Sequence, residues 1–113
     1  MFAKRNRLKK TADFKKVFKD GKRAAGDLTE MIFLQNNLDV CRFGFIVSLK
    51  VSKKATVRNK IRRRLTEAVK LFTSSIKKGY DIIFIVKPKI VGKTQPDLIK
   101  NVEQIFRKTK ICP

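Results

Sequence analysis

The chain has 113 residues, with 29 Lys plus Arg against 9 Asp plus Glu, a formal net charge of +20, and no His. At 42% hydrophobic residues it is too apolar for a disordered basic tail, and its length suits one domain around one core. Such a charge exceeds what solubility needs and anticipates a polyanionic partner, while the missing His and scattered acids argue against a self-sufficient hydrolase.

Residues 1–10 carry Lys4, Arg5, Arg7, Lys9 and Lys10 with little to bury, and read either as a mobile basic arm that orders on a phosphate backbone or as a solubilising tail. No signal-type apolar core follows. No apolar run approaches the roughly 20 residues that cross a bilayer, so a cytoplasmic protein without a membrane partner is expected. Thr11 is placed to cap a short helix in which Asp13 sits near the N-terminus, Phe14, Val17 and Phe18 share a face, and Asp20-Gly21 marks the exit. Phe14 and Phe18, one turn apart, suit either a core contact or the stacking of single-stranded bases, for which Lys15, Lys16 and Lys19 would supply neighbouring cations.

Leu28 to Leu34 reads as a strand, Asn36-Asn37-Leu38-Asp39 as a turn and Arg42 to Ser48 as a second strand, so the two are expected to pair as an antiparallel hairpin. The run Lys53-Lys54-Ala55-Thr56-Val57-Arg58-Asn59-Lys60-Ile61-Arg62-Arg63-Arg64 then opens a basic amphipathic helix reaching about Phe72. Its apolar stripe is Ile61, Leu65, Ala68, Val69 and Phe72. Arg58, Asn59, Arg62, Arg63 and Lys70 fan out along one flank, and Lys60 and Arg64 point to the other side. Glu67 is the only carboxylate between Lys50 and Lys70, so repulsion along this helix calls for an external anion.

Tyr80 to Val86 is apolar enough for a central strand covered on both faces. Pro88 and Gly92 bracket a loop, Thr94 and Asp97 resemble a loose capping box with Pro96 in the first turn, and Leu98, Val102, Ile105 and Phe106 trace a last helix stripe. The order helix, strands, helix, strand, helix, without repeats or a low-complexity linker, predicts a single α+β domain over residues 1–113. Cys41 and Cys112 lie far apart without metal-ligand spacing and read as reduced thiols. No protein-bound cofactor or metal is expected.

Three blocks carry a resemblance. Arg5-Asn6-Arg7-Leu8-Lys9-Lys10 with Asp13-Phe14 and Val17-Phe18, then Arg42-Phe43-Gly44-Phe45-Ile46-Val47-Ser48 with Lys50 and Arg58-Asn59-Lys60-Ile61-Arg62-Arg63, then Gly79-Tyr80-Asp81-Ile82-Ile83, together resemble the protein subunit of bacterial ribonuclease P over nearly the whole chain. The resemblance implies an α/β sandwich of ribosomal-protein-like type, with a sheet of about four strands, three helices and a left-handed β-α-β crossover. It implies a partner RNA that performs the phosphodiester hydrolysis with Mg²⁺, releasing the 5′ leader of precursor transfer RNA, and no catalytic side chain on the protein.

By position, Arg58, Asn59, Lys60, Arg62 and Arg63 are implied to meet the catalytic RNA, and Phe14, Phe18 and Lys50 to hold the leader. The sequence departs from the family pattern at two places. Lys60 stands where the third residue of the family's Arg-Asn-Arg signature is arginine, keeping the charge without the planar fork, and Leu49-Lys50 stands where two lysines are usual. Phe33 and Phe43 are both candidates for a strand aromatic in the leader cleft. A ribosomal or RNA-assembly protein without nuclease activity is the alternative. A DNA-reading helix-turn-helix is disfavoured because a strand precedes the basic helix, so no DNA partner is expected.

Overall fold

Ile82 to Val86 has no polar face to offer water, and in the computed structural model, which describes residues 2–111, it occupies an interior position of the sheet. The elements are α1 (Thr11–Asp20), β1 (Lys22–Ala25), β2 (Thr29–Gln35), β3 (Arg42–Ile46), α2 (Ala55–Lys70), β4 (Tyr80–Val86) and α3 (Gln95–Lys108), with 3-10 turns at Lys4–Asn6 and Pro88–Ile90. The strand order is β1-β2-β4-β3. β2 runs antiparallel to β1 and β4, and β3 lies parallel to β4, joined to it through α2, so the implied β-α-β crossover is present as β3-α2-β4.

Alternation along the strands divides the core into two. Met31, Phe43, Ile82, Phe84 and Val86 face α2 and α3, meeting Ile61, Leu65, Ala68 and Val69 of the first and Leu98, Val102, Ile105 and Phe106 of the second. Ile32 and Ile83 face the other way and, with Leu8 and Val17, form a smaller cluster beneath α1. One short helix thus covers the second face, with Val17 in the cluster and Phe14 lying over Gly44 of β3. Ile61, Leu65, Ala68 and Val69 of the stripe expected for α2 and the whole stripe expected for α3 are buried, while Phe72 lies past the end of α2 and is only partly buried, and α3 starts with the anticipated capping box between Thr94 and Asp97. No helix among the described residues is long and apolar enough to cross a membrane.

Three expectations are corrected. β2 and β3 do not form a hairpin, because β4 lies between them. The intervening turn instead carries the chain over the end of β4: Asn36 N–H donates to Gly79 O at 2.8 Å, and its side-chain amide donates to Val40 O and Asp81 Oδ1. Thr11 does not cap α1; Lys10 holds the cap position without a side-chain bond. Residues 2–10, expected to have little to bury, place Phe2 against the larger core and Leu8 in the smaller one. Cys41 is buried, and its Sγ contacts Lys77 O at 3.0 Å. Burial raises this thiol above its ordinary pKa and keeps it protonated. Cys112 lies outside the described residues.

Candidate nucleic-acid interface

β3 presents an edge, and the N-terminal segment partly covers it. Leu8 N–H donates to Phe43 O at 2.9 Å, and Arg7 bridges to Phe43 in the parallel sense. Phe2 stacks on Phe43 with ring centres 4.7 Å apart and planes 16° apart, and Phe45 stands between Phe2 at 6.4 Å and Phe84 at 5.7 Å. The aromatic series continues inward through Phe84 to Phe106, so the floor at this edge is rooted in the main core. On the other face, Gly44 lets α1 approach: a Cβ at this position would lie 2.6 Å from Phe14 Cζ.

α2 closes the arrangement. Its stripe of Ile61, Leu65, Ala68 and Val69 is held in the core, and helical periodicity therefore turns Asn59, Arg62, Arg63 and Thr66 toward the β3 edge. The result is a cleft of about 530 Å³ with Phe2, Phe14, Phe43 and Phe45 as its aromatic lining and Arg7, Lys9, Arg62 and Arg63 as its cations. No carboxylate is among the lining residues. Arg62 Nη1 donates to Asn59 Oδ1 at 2.9 Å, which orients the guanidinium, while Thr66 Oγ1 donates back to Arg62 O at 2.8 Å. Arg7 Nε is buried without a hydrogen-bond partner among the described residues.

The acids lie elsewhere, and most of them are engaged. Asp81 and Asp13 both pair with Arg42, Glu30 with Arg23, Asp27 with Lys89 and Glu103 with Arg107, and Asp97 is bound into the helix cap. The Lys89 ammonium holds the Asp27 carboxyl below its ordinary range, and the Thr94 backbone N–H does the same for Asp97. A site that concentrates positive charge over aromatic faces, with carboxylates excluded, fits a nucleotide backbone and its bases.

The sequence-based candidates separate into groups. Phe14, Asn59, Arg62 and Arg63 come together in the cleft. Arg58 is turned toward the β3-α2 connection, where its Nη1 donates to Ser52 O at 2.9 Å. Lys60 lies in a different groove, beside Arg64 and Lys93. Phe18 is exposed, with the Arg23 guanidinium 6.0 Å from its ring centre, and neither it nor the exposed Lys50 lines the cleft. Of the two strand aromatics considered, Phe43 lines the cleft and Phe33 packs near Tyr80. Phe2, Phe45 and Thr66 were not singled out from sequence. The alternation of Phe43 and Phe45 was the available signal for the second of these, and for Phe2 there was none.

Comparison with known proteins bears on what this cleft belongs to. The family model described as Ribonuclease P matches residues 2–110. The chain belongs to the ribonuclease P protein family.

The ribonuclease P protein component of Caldanaerobacter subterraneus subsp. tengcongensis is 36% identical over 98% of this chain and 95% of its own. That of Clostridioides difficile is 40% identical over 92% and 91%. The solved ribonuclease P protein of Staphylococcus aureus superposes with a TM-score of 0.86 at 30% identity, covering 96% of this chain and 98% of that one. The mixed four-stranded sheet with three helices is therefore the ribonuclease P protein fold.

Proposed function

We propose that this chain binds the catalytic RNA of ribonuclease P and the 5′ leader of precursor transfer RNA, and so promotes endonucleolytic removal of the leader by that RNA. The observation that carries the reading is the cleft at the β3 edge, where Phe14 of α1 and Asn59, Arg62 and Arg63 of α2 face one space on a chain of charge +20. Aromatic rings accept bases of any identity at about 1–3 kcal/mol each, and cations beside them track the phosphates, a combination suited to a leader of variable sequence. Arg58, Asn59, Lys60, Arg62 and Arg63 present the cationic surface to the catalytic RNA. Phe14 supplies the leader contact, with Phe18 and Lys50 extending it outside the cleft.

The protein's contribution is positional and electrostatic. Two folded RNAs repel one another, and a compact polycation at their junction releases counterions from both and lowers that repulsion. The bond-breaking step belongs to the RNA, which uses Mg²⁺.

The test is cleavage of a leader-bearing precursor by the RNA subunit, with and without this protein, across Mg²⁺ concentrations. Stimulation should be large at low Mg²⁺ and shrink as free cations screen the same phosphates. Equal stimulation at every concentration would overturn the electrostatic account, and no stimulation at any concentration would overturn the function.

A further inference from the structure

The cleft uses one side of α2 and leaves strong positive charge on the other. Lys60 and Arg64 form a wall of a second groove, of about 230 Å³, whose opposite side is the β4-α3 connection with Ile90, Val91 and Lys93. At about 100° per residue, Arg62 and Arg64 stand roughly 160° apart around a helix some 10–12 Å thick with its side chains. A single backbone strand seated against Arg62 cannot also run between Arg64 and Lys93.

The groove is held in shape by its own bonds. Arg64 Nη1 donates to Lys93 O at 3.4 Å, and Gln95 Nε2 donates to Arg64 O at 2.8 Å, fastening the connection to the helix from both directions. Of the five N–H donors of a guanidinium, the Lys93 carbonyl takes one. The neighbouring acids have partners of their own: Asp97 is bound by Thr94, Asp27 by Lys89, and Glu67 lies 3.9 Å from Lys70. Val91, half exposed, offers an apolar surface between the cations, of the kind a ribose or base edge covers.

We propose that this groove is a second RNA-backbone site, in which Lys60, Arg64 and Lys93 bind a phosphodiester segment distinct from the one in the β3-edge cleft. RNA then grasps α2 from both sides, and Lys60 belongs to the second contact. The ligand rests on the ribonuclease P reading, but the test separates the two.

Transcribed ribonuclease P RNA is bound across a salt series and footprinted with hydroxyl radicals, using the parent protein, Lys60→Gln/Arg64→Gln/Lys93→Gln, and Arg62→Gln/Arg63→Gln. The triple variant should lower the slope of log K against log salt by about two to three and lose protection at nucleotides other than those lost by the cleft variant. Lys60→Gln/Lys93→Gln, which changes two exposed side chains and leaves the Arg64 bonds intact, should give the same footprint change with a slope loss of about one to two. The inference is overturned if the cleft variant loses binding while the groove variants match the parent, or if both sets lose the same nucleotides. If every variant binds as the parent does, the RNA-binding role of α2 fails with it.

Discussion

Phe14 lies so close over Gly44 that a Cβ there would stand 2.6 Å from its Cζ and 2.8 Å from its Cε1. The glycine is the reason α1 can bring an aromatic ring onto β3 at the mouth of the cleft. Gly44→Ala should therefore displace Phe14 and destabilise the fold by about 1–3 kcal/mol, the range of an overpacked contact. Urea melts of Gly44→Ala, Phe14→Ala and the double variant check the cause. The cost of Gly44→Ala should fall sharply once the ring is gone, and a cost independent of Phe14 would place the strain elsewhere.

The Arg42 guanidinium ties three elements together, with Nη2 2.6 Å and Nε 2.8 Å from the two oxygens of Asp81 on β4, and Nη1 3.3 Å from Asp13 of α1. Asp81 is buried, and Asn36 donates to it as well. Arg42→Ala strands this carboxylate and should cost about 1.5–3 kcal/mol, read from the urea midpoint. Arg42→Lys restores the charge without the fork and should recover only part of it.

Asp97 gives a pH signature. The Thr94 backbone N–H, then the Thr94 hydroxyl, hold its carboxyl below the ordinary value of 3.8. A group depressed in the folded state stabilises fully above its unfolded pKa and loses that contribution as pH falls through the folded value. Asp97→Asn should thus flatten the acid limb of stability below about pH 4 while changing the dependence near neutrality little. Thermal melts of both proteins between neutral pH and about pH 3 report the difference, and parallel acid limbs would count against the cap as its source.

Phe14 and Arg62 should differ in what they recognise. Phe14→Ala is expected to weaken binding of a leader-bearing precursor to the holoenzyme by up to about tenfold, within the 1–3 kcal/mol range of one stacked base, and to leave mature transfer RNA nearly unaffected. Arg62→Ala with Arg63→Ala should weaken both and lower the salt slope by about two. Titrations of the two RNAs against reconstituted holoenzyme make the comparison, and equal losses for Phe14→Ala on both would assign that ring to the core alone.

Much of the architecture was legible because it is written in local spacing. The stripe Ile61, Leu65, Ala68 and Val69, the capping box Thr94 to Asp97 and the all-apolar Ile82 to Val86 each state an element and its buried side without reference to the rest of the chain. β1 was not legible: Lys22-Arg23-Ala24-Ala25 has no strand pattern, and it is extended because Lys22 to Ala25 pair with Phe33 to Glu30 at a charged sheet edge.

Strand partnership was misjudged for a related reason. The alternation in Phe43-Gly44-Phe45 is satisfied equally beside β2 or beside β4, and only the placement of α2 against the sheet selects the parallel pairing with β4.

The amino-acid order alone determined that the molecule carries +20 charge over one core, that its most basic segment is an amphipathic helix, and which family's blocks it bears. Which cations share a space was decided by tertiary structure. Phe2, Phe14 and Arg62 are distant in sequence and meet because a two-faced sheet, an edge strand and a helix anchored by its apolar stripe converge at β3. The same anchoring sends Lys60 to the opposite groove. Helical periodicity states the angle between two side chains, but the packing of the helix decides what each of them faces.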